Sequence, residues 1–125
     1  MTRTFTPGQR IITKGDPATI AYTITRGSVR VFLDKDGKDV TLAELKTGAL
    51  FGETALFGGS EYGAHVEAVT DTELAVITPE AFQDKIAACD PMIKSIITML
   101  LERQKRTNEA LLRSETREFM DIGFV

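Results

Sequence analysis

The sequence predicts a mainly β domain, a small sandwich or barrel, followed by two helices of which the last is long. Three observations carry this expectation. Glycine punctuates the chain at short intervals up to about Thr78, at Gly8, Gly15, Gly27, Gly37, Gly48, Gly52, Gly58, Gly59 and Gly63. Between those breaks lie short apolar runs with strand-like alternation. After Thr78 the pattern turns helical, and from Pro91 to about Arg117 neither glycine nor proline interrupts it. With 125 residues the chain has the size of one domain, and 42% hydrophobic against 26% charged residues is enough to build a core.

The elements follow in order. Ser28-Val29-Arg30-Val31-Phe32-Leu33 and Asp39-Val40-Thr41-Leu42-Ala43-Glu44 flank Lys35-Asp36-Gly37-Lys38. Asp-Gly supplies the positive φ that a tight hairpin turn requires, so the two runs are expected to pair. Ala64, Val66 and Ala68 alternate with His65 and Glu67, and Leu74-Ala75-Val76-Ile77 reads as a further strand. Strands at a spacing of roughly 8–12 residues point to an all-β sandwich or barrel over 1–78.

Thr78-Pro79-Glu80 is a helix start, an N-cap followed by proline at the first helical position, and opens a short helix within 79–89. Asp90-Pro91 repeats the signal and opens a helix over 91–117, about 27 residues and about 40 Å long. A helix of that length outruns so small a domain and is expected to pack on something beyond it. One reading covers the β part with its first half and leaves the second half solvated. The favoured reading is a homodimer seam of Ile97, Leu100, Gln104, Thr107 or Asn108, and Leu111 at spacings of three and four. The tail over 118–125 holds Phe119, Met120, Ile122, Phe124 and Val125, an apolar cluster expected to fold back or to meet a partner.

The run that carries chemistry is Phe51-Gly52-Glu53-Thr54-Ala55-Leu56-Phe57, followed by a loop to Tyr62-Gly63-Ala64-His65-Val66-Glu67-Ala68. A glycine lets backbone approach a ligand closely. A short helical turn after it, with the amides of Thr54 and Ala55 at its start, would face an anion. Glu53 would accept hydrogen bonds from a sugar hydroxyl. The small residues Gly63 and Ala64 leave their amides accessible. Physically this is a phosphate cradle with a carboxylate beside it.

Phe51-Gly52-Glu53-x-Ala55-Leu56 with Ala64-x-Val66-x-Ala68 resembles the phosphate-binding cassette of the cyclic-nucleotide-binding domain family. Ile11-Ile12-Thr13-Lys14-Gly15-Asp16-Pro17-Ala18 and Tyr22-Thr23-Ile24-Thr25-Arg26-Gly27 resemble that family's first signature, with Ala21 and Thr23 departing from its hydrophobic run. The resemblance spans nearly the whole chain. It implies a β jelly-roll followed by two helices, a non-catalytic regulatory role in signal transduction, and cAMP or cGMP as the ligand, with no cofactor. The implied cradle is Gly52, Glu53, Thr54, Ala55, Tyr62, Gly63 and Ala64, and the implied base contacts are Thr107 and Asn108 on the long helix.

Two departures bear on function. Members that bind cAMP or cGMP carry an arginine just before the Gly63-Ala64 position, where this chain has Tyr62, and no arginine lies between Val31 and Arg103. Gly63 stands where the family usually has a small residue with a side chain. A charge-assisted hydrogen bond to an anion contributes about 1.5–3 kcal/mol, or roughly 10- to 150-fold in affinity. Two readings therefore stay open. The domain senses a cyclic nucleotide or a similar small anion with weakened affinity, or it is a degenerate, ligand-free dimerisation or protein-interaction module.

Other classes find no support in the residues. The net charge of −3 argues against a nucleic-acid binder. Only Ser114–Val125 follow Leu112 and Arg113, too little for the helix-turn-helix domain through which the family controls transcription, so any output is expected in trans through an effector protein. His65 is the single histidine, which excludes histidine-cluster metal sites, and alternation with Val66 makes it an exposed strand residue. Cys89 has no partner for an internal disulfide. No run approaches the roughly 18 apolar residues of a membrane span, so a soluble, cytoplasmic protein is the expectation.

Overall fold

The computed structural model describes residues 1–56 and 59–113, with the side chains of Leu101 and of residues 104–113 outside the description. Eight strands come first: β1 (Thr2–Phe5), β2 (Arg10–Ile12), β3 (Ala21–Arg26), β4 (Ser28–Lys35), β5 (Lys38–Lys46), β6 (Leu50–Phe51), β7 (His65–Ala68) and β8 (Thr72–Ile77). A single 3-10 turn, Glu53–Leu56, lies between β6 and β7, and the helices α1 (Pro79–Ala87) and α2 (Pro91–Arg113) follow. The strands form two four-stranded sheets, ordered β1-β8-β3-β6 and β2-β7-β4-β5. All pairings are antiparallel. The expected mainly β domain with two helices behind it is what the chain forms. Its strands lie in two sheets and do not close into one cylinder.

The β4–β5 hairpin shows how local chemistry sets register. Lys35 pairs with Lys38 across a two-residue turn in which Asp36 and Gly37 have φ of 54° and 77°. Both values are positive, as a turn matched to the twist of the strands demands. The strands run longer than the apolar pattern alone indicates, because the turn chemistry carries pairing up to its edge.

Inward-facing residues of both sheets meet in one core: Ile12, Tyr22, Ile24, Val29, Val31, Phe51, Tyr62, Ala64, Val66 and Leu74. Fully burying a side chain of the size of Val31, Ile24 or Leu74 contributes about 1.5–3 kcal/mol. Phe32 lies on the other face of β4, opposite His65 of β7, yet is only 1% exposed. Guanidiniums cover it, with Arg30 Cζ 4.0 Å and Arg10 Cζ 5.1 Å from its ring centre. The His65 ring completes the cover at 5.2 Å. The exposed histidine expected from alternation is therefore half-buried. It does sit on the outer face, but that face carries its own packed cluster.

Gly27 joins β3 to β4 at φ +96°, and a Cβ there would lie 2.4 Å from the Asp71 carbonyl oxygen. The Asp71–Thr72 backbone passes that close because Thr72 is anchored by its hydroxyl on the Ser28 carbonyl at 3.0 Å.

The helices begin as their caps dictate. Thr78 Oγ1 accepts from the Ala81 amide at 3.1 Å with proline at the start of α1, and Asp90 Oδ1 accepts from the Met92 amide at 2.9 Å at the start of α2. α1 buries Ile86 and lies against both the 3-10 turn and α2. Along α2, Ile93, Ile96, Met99 and Leu100 are exposed and Ile97 is half-buried. Among the described residues no helix is long and apolar enough to cross a membrane. The expected stretch from Ser114 to Arg117 and the apolar tail lie outside the described residues.

Gly27→Ala is expected to destabilise the domain by more than about 1 kcal/mol, since it combines a left-handed φ with a steric overlap on backbone. Urea unfolding followed by far-UV circular dichroism checks this, and an unchanged midpoint would show that the Asp71 segment gives way freely.

Candidate functional site

The site is built around Gly52. Its φ of +73° turns the chain out of β6, and a Cβ there would sit 3.2 Å from both Ile12 Cδ1 and the Ile20 carbonyl oxygen. Only glycine combines that dihedral with that clearance. The chain then winds into the turn Glu53–Leu56, all four residues of which are buried. Glu53 opens the turn and is 6% exposed, so its carboxylate belongs to the interior of the site and not to the solvated surface.

The turn is closed by a hydrogen bond from the Ala55 amide to the Gly52 carbonyl at 3.2 Å. In this structure the i→i+3 pattern of a 3-10 turn takes up that donor. The return of the loop is tied down at Gly59, whose amide donates to the Thr54 carbonyl at 3.0 Å. A Cβ at Gly59 would overlap Thr54 Cγ2 at 2.3 Å.

Opposite the turn runs a strap, residues 15–18, that holds the approach to β7. The Gly15 amide donates to the Tyr62 carbonyl, the Tyr62 amide to the Asp16 carbonyl and the Ala18 amide to the Ser60 carbonyl, each at 3.0 Å. Pro17 and Glu61 face each other in an isolated antiparallel bridge. Gly63 is half-buried and Ala64 is buried.

Tyr62 is 7% exposed and belongs to the core cluster. Its hydroxyl donates to the Ile20 carbonyl at 2.6 Å and accepts from the Ile20 amide at 3.2 Å. The phenol thus uses its one proton and an acceptor lone pair on a single residue. The oxygen it holds is the one that excludes a Cβ at Gly52. The two halves of the cradle therefore meet at Ile20, a residue distant from both in sequence. Beside them the Tyr22 and Phe51 rings stack at 5.3 Å, and Arg3 Nη1 donates to the Tyr22 hydroxyl at 3.2 Å. Burial pushes the Tyr22 hydroxyl above its ordinary range, and the nearby Arg3 charge opposes that shift.

The structure thus brings together Gly52, Glu53, Thr54 and Ala55 in one buried turn and holds Tyr62, Gly63 and Ala64 on the facing segment. Thr107, Asn108, Gln104 and Leu111 fall on the backbone of α2, with side chains outside the described residues. Ile20 and the strap are the participants that sequence reasoning missed. The turn punctuation Gly15-Asp16-Pro17 is visible in the sequence, but its pairing with Ser60–Tyr62 is long-range. From Gly52 to Ala64 the chain carries no lysine or arginine. The cradle's own segment offers backbone dipoles and two carboxylates, Glu53 and Glu61, but no cation. Among the described residues there is also no cluster of histidine, cysteine and carboxylates that would hold a metal ion.

Removing only the hydroxyl, Tyr62→Phe, leaves the Ile20 peptide without this partner and is expected to cost about 1–3 kcal/mol. Urea midpoints and amide exchange at Ile20 report it, and unaltered exchange at Ile20 would mean that the clip carries no stability.

Comparison with known proteins agrees with this architecture. The cyclic nucleotide-binding domain matches residues 2–89. The chain is 32% identical over 117 residues to the cAMP-activated global transcriptional regulator CRP of Haemophilus influenzae, covering 92% of this chain and 49% of that protein. It is 33% identical over 95 residues to the cAMP-dependent protein kinase type II regulatory subunit of Drosophila melanogaster, covering 75% of this chain and 25% of that one. Among solved structures, the catabolite activator protein of Thermus thermophilus superimposes with a TM-score of 0.71 at 33% identity, over 90% of this chain and 53% of that one. An EAL enzyme in its cAMP-bound form superimposes with a TM-score of 0.68 at 28% identity, over 95% of this chain and 33% of that one. The chain thus spans between a quarter and about half of the length of these proteins. On the matched residues and the shared architecture, the chain belongs to the cyclic nucleotide-binding domain family.

Proposed function

We propose that this domain is a non-catalytic regulatory module whose cradle takes cAMP, cGMP or a similar small anion with reduced affinity. The observation that carries the reading is Tyr62. It stands where cyclic-nucleotide binders place an arginine, and its hydroxyl is committed on both sides to Ile20. A phenol so engaged neither neutralises a phosphate nor swings out to meet one without giving up two hydrogen bonds. Binding then rests on the cradle's backbone, on Glu53 toward sugar hydroxyls and on Thr107 and Asn108 toward the base. The family membership and the named cAMP-responsive relatives support the ligand class.

A second reading rests on α2. Ile93, Ile96, Met99 and Leu100 present an apolar face to solvent, with Leu100 52% exposed. A run of exposed apolar residues on one helix is the usual mark of an interaction surface. We propose that Ile97 and Leu100, continued by Gln104 and Leu111, form a homodimer seam, and that an effector protein is engaged in trans. If the cradle takes no ligand, this surface is the domain's remaining function.

Calorimetric titration with cAMP and cGMP separates the two readings. The expected result is weak binding that Glu53→Ala abolishes and that Tyr62→Arg strengthens by roughly 10- to 150-fold, the worth of one charge-assisted hydrogen bond. Silence with both nucleotides in wild type and in Tyr62→Arg would leave the interaction module. Light scattering is expected to show a dimer that Leu100→Glu converts to a monomer, and an unchanged mass would reject the seam.

A further inference from the structure

His65, the one histidine in the chain, is joined through its Nδ1 to Lys14, the residue that leads into the strap. Its Nδ1 faces two donors, the Lys14 amide at 3.1 Å and Arg10 Nη1 at 3.0 Å. A backbone N–H cannot become an acceptor and a guanidinium has none to offer, so Nδ1 is the bare nitrogen of a neutral ring. The ring proton is then on Nε2, 3.3 Å from Asp34 Oδ2. The side chain is 12% exposed and rests on Phe32, so the imidazole has little room to turn away.

A second proton would make Nδ1 a donor aimed at two donors. The charged groups around the ring come from every neighbouring element: Arg10 of β2, Lys14 just beyond it, Arg30 and Asp34 of β4, Asp39 of β5 and Glu67 of β7 itself. Arg30 is held by Glu67 at 2.7 Å and Asp39 at 3.4 Å, so it does not compete for Asp34 by default. Three cations stand against three carboxylates, so the charge count favours neither state, and the obstacle to an imidazolium is the geometry at Nδ1. The structure resolves that conflict only if the Lys14 amide and Arg10 move off the ring.

Lys14 is chained to the strap. The next residue, Gly15, donates its amide to the Tyr62 carbonyl, and Asp16 accepts the Tyr62 amide. We propose that His65 is a proton-operated latch: protonation at Nδ1 releases the Lys14 amide and loosens the grip of residues 15–18 on Ser60–Tyr62. Histidine is the side chain whose ordinary charge change falls between about pH 5 and 8, which suits such a device. The inference stands whether or not the cradle takes a nucleotide.

Isotope-labelled protein titrated from about pH 8 to about pH 5 tests it, with one histidine giving one set of ring signals. At the upper end the ring nitrogens are expected to show the Nε2–H tautomer. On acidification the amide signals of Lys14, Gly15 and Tyr62 are expected to move with the same midpoint as the ring. Their exchange, corrected for intrinsic rates, is expected to quicken about fivefold, the equilibrium equivalent of one lost hydrogen bond. In His65→Gln these amide movements are expected to vanish over the same range. An Nδ1–H tautomer at the upper end would overturn the latch, as would Gly15 and Tyr62 amides that ignore the ring's titration in wild type. Equal movements in His65→Gln would do the same.

Discussion

The phenolic oxygen of Tyr62 on the Ile20 peptide is the contact from which the geometry of the site follows. It holds the start of β3 at the point where Gly52 bends the chain out of β6, so the turn Glu53–Leu56 and the segment Tyr62–Ala64 share one anchor. Gly52 suits this place because its φ is left-handed at +73° and a Cβ would crowd the Ile20 carbonyl at 3.2 Å. The strap over residues 15–18 grips the same tyrosine through its backbone, so both the side chain and the main chain of Tyr62 are held. A residue so constrained is structural first, and its chemistry toward any ligand is what remains after those bonds are made.

That constraint separates charge from cradle. The cradle's own segment, Gly52–Ala64, contains a buried carboxylate and backbone dipoles but no basic residue. Arg10 and Arg30 instead cover Phe32 on the outer face of the β2-β7-β4-β5 sheet, paired among Asp39, Glu67 and His65. Glu67 holds Arg30 at 2.7 Å. The Glu67 hydrogen bond, foremost, raises the Arg30 guanidinium above its ordinary range. One sheet thus presents a dry apolar face to the core and an organised ionic face outside, with β7 belonging to both.

Most of the architecture was legible because its signals are local. Asp36-Gly37 announces a hairpin, Thr78-Pro79 and Asp90-Pro91 announce helix starts, and Val29, Val31 and Val66 mark an inward face. Each rests on backbone preferences that operate within a few residues. The Gly52-Glu53 loop was legible in the same way, since a left-handed glycine before a short turn is a local requirement. One reading failed where a contact crossed the chain. Alternation marks His65 as exposed, because it cannot foresee that Arg10 and Phe32 enclose the outer face.

The sequence by itself therefore determined the class of fold, the order of its elements, the place of the cradle and the absence of an arginine at Tyr62. Those are properties of residue type and short-range spacing. Only the tertiary structure decided what Tyr62 does in place of that arginine. Its hydroxyl reaches a peptide 42 residues away, at Ile20, and no local pattern encodes which distant backbone group a buried phenol must satisfy.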